Sequence, residues 1–170
     1  MQQGEFIERL HTLAFVDAAK ESAVHRRPDA ALDRIAENPA RLAGDSLVSE
    51  GVTEGELNLL FVDEAVMTDL NREHMGEHRP TDVLSFPLDG ADDDPFGDNL
   101  IGDVVVCPVY AARQAPLHVG ERGHDGSVDD ELALLVVHGV LHVLGHDHAD
   151  ENETAAMQAR EQHILDTFGR

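Results

Sequence analysis

The segment that most constrains the fold is residues 131–144, ELALLVVHGVLHVL, because it is apolar on every face of the helix that its length predicts. A helix of this kind cannot keep one face in water, so we expect it to be central and buried. Ser127 begins an S-x-x-D signature that is typical of a helix start. Gly145 follows the segment and supplies a residue type that ends helices.

Histidines interrupt this apolar helix at a spacing that points to a metal ion. His138 and His142 lie four residues apart, so their imidazoles project from one face and can converge on one ion. Burying both rings costs free energy unless each has a partner, and a shared ion serves both. Gly145 allows the chain to turn, and a third ligand then comes from His146 or His148. Residue type does not decide between the two, but the spacing favours His148. Three protein ligands leave a fourth position for water, as in catalytic sites.

The predicted set His138, His142 and His148 has the zincin-like spacing H-x-x-x-H-x-x-G-x-x-H, which metzincin proteases share. In those proteases a glutamate that follows the first histidine is the general base, whereas Gly139 stands here. A metal can still lower the pKa of its bound water to about 7 and polarise a phosphoryl or carbonyl oxygen. The pattern therefore predicts a hydrolase that is poorly suited to peptides. We assign the attack to metal-bound water and name no catalytic side chain; Asp147 either orients a ligand or caps the turn.

The remaining patterns predict one domain spanning residues 1–170, with strands and helices in mixed order. We expect strands at residues 11–17, 57–63, 81–87 and 101–107, and a broken amphipathic helix within 28–48. Asp63 is suited to cap a helix that reaches about Glu73, and Asp150 with Glu153 to cap a last helix that reaches about Phe168. We expect an acidic Gly/Pro-containing loop at residues 89–99 and another loop at residues 117–128.

Composition limits the function classes. The formal net charge is −22, with one lysine among 12 basic residues and 34 acidic ones, which argues against generic nucleic-acid binding. A strongly acidic, lysine-poor surface suits a high-salt cytoplasm, which we take as a hypothesis.

The single cysteine, Cys107, can form no internal disulfide, and we interpret it as a small buried hydrophobe. The first residues lack the pattern of a signal peptide and no apolar run is long enough to span a bilayer, so a cytoplasmic protein is expected.

Three blocks resemble the YbeY family of endoribonucleases. HGVLHVLGHDH is similar to the family signature, and LNREHMGEHRPTDVLSFP (70–87) and IGDVVVCP (101–108) are similar to two further blocks in the expected order. The resemblance covers roughly residues 57–165 and leaves an N-terminal extension of about ten residues. It implies an α+β fold in which a small, mostly parallel four-stranded sheet packs against the metal-bearing helix. It also implies one ion, usually zinc or else another divalent transition metal, held by His138, His142 and His148.

The activity implied by the resemblance is metal-dependent cleavage of single-stranded RNA. The implied role is maturation of ribosomal RNA, notably at the 3′ end of the small-subunit RNA, and ribosome quality control. The implied partners are ribosomal RNA and the small subunit or its assembly factors, with no membrane. Two alternatives stay open: a noncatalytic ribosome-assembly factor that the metal only stabilises, and a metalloprotease-like hydrolase.

The chain departs from the family pattern at residues near the expected site. Met75 stands where many relatives have an arginine, and His146 where an aromatic residue is usual. Arg72 or Arg79 is a candidate for the missing positive charge, and Ser85 is a candidate phosphate or sugar contact. Because phosphate contacts normally come from lysine and arginine, the net charge of −22 weighs against an RNA substrate unless the groove is locally basic or salt screens it.

Overall fold

The structure is a computed structural model that describes residues 12–17, 33–52, 55–88 and 100–169, with side chains from residue 39 onward. The predicted N-terminal extension and the acidic loop 89–99 lie outside these residues. The strands are β1 (Thr12–Asp17), β2 (Glu56–Phe61), β3 (Val83–Pro87) and β4 (Leu100–Val106). The α-helices are α1 (Asp33–Ser49), α2 (Glu64–Met75), α3 (Pro108–Gln114), α4 (Val128–Val143) and α5 (Glu151–Ile164). Short 3-10 turns lie at Ala115–His118 and Glu121–Gly123, and a π-turn at Leu165–Gly169 follows α5.

The strands form one sheet in the order β1-β2-β4-β3. Among the described strands, β2 and β4 run parallel, while β1 pairs with β2 and β3 pairs with β4 in antiparallel fashion. The expectation of a mostly parallel sheet is therefore wrong, and the sheet is mixed. β3 lies at the edge, since β4 is its one neighbour in this sheet. A parallel pair needs a crossover, and β2 and β4 have one that runs through α2 and β3.

Side chains alternate between the two faces of the central strands, and each face has its own helices. Leu57, Leu59 and Phe61 of β2 face a core shared with α1 and α4, together with Val104 and Val106 of β4. Leu60 and Val105 point the other way, towards Val66, Met67 and Leu70 of α2. Cys107 is fully buried in that second core, as predicted, and burial raises the pKa of its thiol. The fold is thus an α+β arrangement of a sheet between two helical layers.

Helix α4 is central because both of its sides are covered. Leu132, Leu135 and Val136 pack in the core against the sheet, while Val137 and Leu141 pack against α5 and Leu42 of α1. This confirms the prediction drawn from its all-apolar faces. In the described part of the chain, no helix combines the length and hydropathy that crossing a membrane requires.

The predicted helix starts are present. The Asp63 carboxylate accepts a hydrogen bond from the Val66 N–H at 2.8 Å, and the Ser127 hydroxyl accepts one from the Asp130 N–H at 3.1 Å. Asp150 accepts from the N–H groups of Asn152 and Glu153, both at 2.8 Å. These caps determine where α2, α4 and α5 begin, and so they also set the register of the histidines on α4.

Candidate metal centre

Three histidines meet at the C-terminal end of α4. Ligand nitrogens of His138, His142 and His148 all lie within 4.8 Å of one another. The Nε2 atoms of His138 and His142 are 3.0 Å apart, close to the roughly 3.3 Å that separates two nitrogens on a tetrahedral zinc ion. The ring centroids of His142 and His148 are 5.0 Å apart. We call this group the C-terminal histidine cluster.

The turn that follows α4 brings His148 back to the helix. Gly145 has φ = +92°, and its N–H donates to the carbonyl of His142 at 3.0 Å. The N–H of His146 donates to the carbonyl of Leu141, also at 3.0 Å. These two bonds form a Schellman motif, which glycine favours because of the left-handed conformation at this position. The predicted change of direction at Gly145 is therefore present.

The alternative ligand His146 points elsewhere. Its Nε2 lies 3.0 Å from Glu50 Oε2, and Arg160 Nη1 donates to both oxygens of the same carboxylate. Asp147 accepts the N–H of His148 at 2.7 Å, so its carboxylate caps the turn, one of the two roles left open for it. The structure thus places His148, and not His146, beside the two helix histidines.

A buried carboxylate orients His138. Nδ1 of His138 lies 2.5 Å from Glu161 Oε1, and Arg122 Nη1 donates to Glu161 Oε2 at 2.9 Å. Burial raises the pKa of Glu161, but the hydrogen bonds and charges of His138 and Arg122 outweigh that effect and hold it below its usual value. The carboxylate therefore stays ionised and accepts a hydrogen bond from the Nδ1–H of His138, which leaves Nε2 of the ring to bind a metal. Sequence reasoning missed both Glu161 and Arg122.

The protonation state of His142 also suits metal binding. Burial lowers its pKa, and the neighbouring His138 and His148 lower it further, while its hydrogen bond to the backbone of His146 opposes the shift. Neutral imidazole is the form that binds metal ions. The donor set fits a divalent transition metal, since imidazole nitrogens are typical ligands of zinc, copper, nickel and iron.

Gly139 is the position where the packing leaves no space for a side chain. A Cβ there would lie 2.5 Å from Val104 Cγ1 and 3.3 Å from both Ser85 Oγ and Val83 Cγ2. The glutamate of the protease pattern therefore does not fit at this position of α4 without displacing the sheet. Ser85 donates its hydroxyl proton to the Gly139 carbonyl at 2.9 Å. The Ser85 oxygen can still accept a hydrogen bond, which suits a sugar hydroxyl better than a phosphate.

Two cavities meet at the C-terminal histidine cluster. Cavity A has a volume of about 450 Å³ and extends along α4 past His118, Arg122 and Glu131. Cavity B has a volume of about 480 Å³ and extends past Met75 and Ser85. Both are lined by His138, His148 and the start of β3 at Asp82 and Val83. Because they share these four residues, the two cavities adjoin at the histidines, beside the edge strand β3; we call the pair the groove.

Positive charge is distributed unequally along this groove. Met75 is exposed and lines cavity B, whose lining within the described residues contains no lysine or arginine. The two proposed substitutes lie elsewhere: Arg72 pairs with Asp69 at 3.1 Å and Arg79 with Glu77 at 3.4 Å, and neither lines cavity A or B. Arg122 lines cavity A. Its φ of +46° is rare for a residue with a side chain, and nothing in its surrounding sequence marks it out.

A second group of possible ligands lies at the start of α4, formed by His118, His124 and Glu131; we call it the N-terminal cluster. Glu131 Oε2 lies 2.7 Å from His118 Nδ1 and 3.0 Å from His124 Nε2. The N–H of Gly126 donates to His124 Nδ1 at 2.9 Å, so the ring proton of His124 must be on Nε2. A protonated Nε2 cannot bind a metal. Within this group only His118 and Glu131 share a hydrogen bond, since Nε2 of His124 has no hydrogen-bond partner among the described residues.

An α+β fold with three convergent histidines at a groove is typical of a metal-dependent hydrolase. A family model described as Endoribonuclease YbeY matches residues 18–169, and the chain belongs to that family. The Endoribonuclease YbeY of Beutenbergia cavernae is 47% identical over 119 residues, covering 68% of this chain and 75% of the relative. That of Moorella thermoacetica is 44% identical over 136 residues, covering 76% and 83%.

A solution structure of a protein from Thermotoga maritima is also similar. The match covers 83% of this chain and 87% of that chain, with 23% identity and a TM-score of 0.45. A likeness at this level adds nothing to the assignment, which depends on the family model and the sequence relatives.

Proposed function

We propose that this protein is a single-strand-specific endoribonuclease whose one divalent metal ion is held by His138, His142 and His148. The observation that carries the proposal is the convergence of these three imidazoles, within 4.8 Å, at the middle of a groove. Family membership supplies the substrate class, since the relatives are named as endoribonucleases. The ion that we propose is zinc.

A zinc ion at this site would supply a Lewis acid for a phosphoryl oxygen and would acidify water. The chain's own residues prepare the site for it. Glu161 holds the Nδ1 proton of His138, which fixes the ring tautomer, and Arg122 holds Glu161 in place. The Gly145 turn carries His148 to the helix face, and burial keeps His142 neutral.

The shape of the site favours an extended polymer over a small molecule. The groove continues on both sides of the histidines, and the edge strand β3 forms one wall at Asp82 and Val83. A single RNA strand can lie along such a groove with a phosphodiester at its middle. Gly139, which cannot be replaced by the protease's glutamate without a clash, supports RNA over peptide as substrate.

We further propose a role in ribosomal RNA maturation in the cytoplasm, at the 3′ end of the small-subunit RNA, with ribosome quality control as part of it. The partners would then be the small subunit or its assembly factors. The net charge of −22 fits such a role if the cell has a high-salt interior, where the Debye length is about 3 Å near 1 M. A free energy of unfolding that rises with KCl concentration would support a high-salt cell interior, and one that does not rise would refute it.

The test combines metal analysis with cleavage of single-stranded RNA for the wild type, His148→Ala and His146→Ala. We expect one ion per wild-type chain, loss of metal and cleavage in His148→Ala, and retention of both in His146→Ala. Loss of metal from His146→Ala but not from His148→Ala would overturn the ligand set. A metal-loaded wild type that is inert towards RNA would favour the noncatalytic assembly factor, and one that cleaves casein but not RNA would favour the protease.

A further inference from the structure

The N-terminal cluster contains a buried carboxylate that the proposed reaction does not use. Glu131 is fully buried in the first turn of α4, and its Oε1 has no hydrogen-bond partner among the residues that the structure describes. Burying a carboxylate in this way costs free energy that apolar packing would avoid. The helix N-terminus offsets only part of that cost. A costly buried group next to a cavity is a candidate for function.

Glu131 holds the ring of His118. Its Oε2 lies 2.7 Å from His118 Nδ1, the closest contact that the structure gives within the cluster. With the Nδ1 proton committed to the carboxylate, Nε2 is the ring nitrogen left to meet a ligand. The His118 side chain is 32% exposed and lines cavity A, whereas Glu131 is 1% exposed. The arrangement thus presents an oriented imidazole to the groove.

We propose that His118, held by Glu131, binds a phosphate of the RNA strand on the cavity A side of the metal centre. This inference rests on the proposed function. Glu131 and His138 are seven residues apart on α4, about 10 Å along the helix axis. We therefore place His118 beside a different phosphate from the one that is cleaved. His118 is therefore a substrate-binding residue, with Glu131 as its positioning residue.

The charge distribution of the groove supports this placement. Among the described lining residues, cavity B has no lysine or arginine, with Met75 where an arginine was expected. Cavity A has His118 and Arg122, together with the carboxylates of Asp82, Glu121, Glu131 and Glu161. Arg122 lines cavity A, but its guanidinium pairs with Glu161. The hydrogen bond to Glu131 raises the pKa of His118, burial opposes this, and the charges of Glu131, Glu121 and Asp82 add to it. His124, the other titratable group beside it, accepts the N–H of Gly126 at its Nδ1.

The experiment measures kcat and KM for single-stranded RNA cleavage by the wild type, His118→Ala and the control His163→Ala, which alters an exposed histidine on α5. Each enzyme is assayed across a KCl series near pH 6 and near pH 9, with metal content and circular dichroism checked for all three. Near pH 6 we expect His118→Ala to raise KM about tenfold with kcat little changed. We also expect the slope of log(kcat/KM) against log[KCl] to become shallower by about 0.7, as for one lost phosphate contact on a single strand.

Near pH 9, where the imidazole is neutral, the wild type and His118→Ala should have similar kcat/KM and salt slopes, and His163→Ala should match the wild type throughout. An unchanged KM and slope in His118→Ala near pH 6 would overturn the inference while leaving the proposed function intact. A fall in kcat without a change in KM in His118→Ala would also overturn it, because that result indicates that His118 transfers a proton in the reaction. A wild type that does not cleave RNA would overturn the proposed function and this inference with it.

Discussion

The two ends of helix α4 carry similar sets of side chains that are prepared for different tasks. At the C-terminal end, His138, His142 and His148 turn their ligand nitrogens towards one point, and Glu161 accepts a hydrogen bond from the Nδ1–H of His138. At the N-terminal end, Glu131 itself occupies the point towards which His118 and His124 turn. Both groups have three potential donors within 4.8 Å. Proximity of donors is therefore not enough to define a metal site.

The difference lies in where the ring protons are. The carboxylate beside the C-terminal histidine cluster is on the far side of the His138 ring, so it draws the proton away from the nitrogen that would bind the metal. In the N-terminal cluster, the Gly126 N–H occupies Nδ1 of His124 and forces the proton onto Nε2. The hydrogen-bond partners of the rings thus distinguish the proposed metal centre from the N-terminal cluster.

The largest expected effect comes from removing one ring from each end. His142→Ala should abolish tight zinc binding, a loss greater than the roughly 10–100-fold typical of removing a residue that only orients a ligand. His124→Ala should leave zinc affinity unchanged and lower the free energy of unfolding, because His124 is buried. Isothermal titration with zinc and urea unfolding measure the two quantities. Equal losses of zinc affinity in both variants would contradict the comparison.

The two buried glutamates provide a matched pair with a smaller effect. Glu161→Gln should weaken zinc binding by about 10–100-fold, since the amide no longer draws the Nδ1 proton of His138 as strongly. Glu131→Gln should leave zinc affinity near that of the wild type, although it removes the anchor of His118. Competition with a chelating dye gives both affinities. A loss in Glu131→Gln as large as that in Glu161→Gln would indicate that both ends of α4 bind metal.

The stability of α4 between the two clusters should be sensitive to added side-chain volume at Gly139. Gly139→Ala places a Cβ 2.5 Å from Val104 Cγ1, so we expect a loss of about 1–3 kcal/mol in the free energy of unfolding as α4 moves off the sheet. Because His138 and His142 flank this position, zinc affinity should fall while the His118–Glu131 contact persists. Urea unfolding and zinc titration of the variant check this. A stability equal to that of the wild type would show that the contact relaxes at little cost.

Features that depend on local sequence were predicted well. The caps at Asp63, Ser127 and Asp150 follow from side chains that bond to backbone N–H groups two or three residues away. The burial of α4 follows from its apolar faces, and the turn at Gly145 from the conformation that glycine favours. Strand direction was not predictable in this way, because it depends on how the connections pack. The sheet therefore proved to be mixed rather than mostly parallel.

The residues that support the site were missed for a related reason. Glu161 reaches His138 from α5, and Arg122 reaches Glu161 from the 3-10 turn Glu121–Gly123, 39 residues away in the chain. No local spacing connects them to the histidine motif. Glu131 did carry a signal, since it is an acidic residue at the start of a segment that is otherwise apolar on every face. An acidic residue on a helix predicted to be buried could have been identified as part of a site.

The smallest expected effect concerns pH and the N-terminal cluster. The pKa of His118 is raised in the folded protein, chiefly by its hydrogen bond to Glu131, so the protonated ring stabilises the fold. This contribution is fully present below the unfolded pKa of about 6.5 and is lost as pH rises through the folded pKa. His118→Gln should therefore be less stable than the wild type by up to about 1 kcal/mol near pH 5.5, with little difference near pH 9. A stability difference that grows with pH would contradict this assignment.

The most direct test of the central claim is an anomalous-scattering map from crystals of the zinc-loaded protein. We predict a single zinc peak per chain, about 2.0–2.1 Å from nitrogens of His138, His142 and His148, with none at His118, His124 and Glu131. A peak at the N-terminal cluster, or a first site that uses His146 in place of His148, would contradict the account.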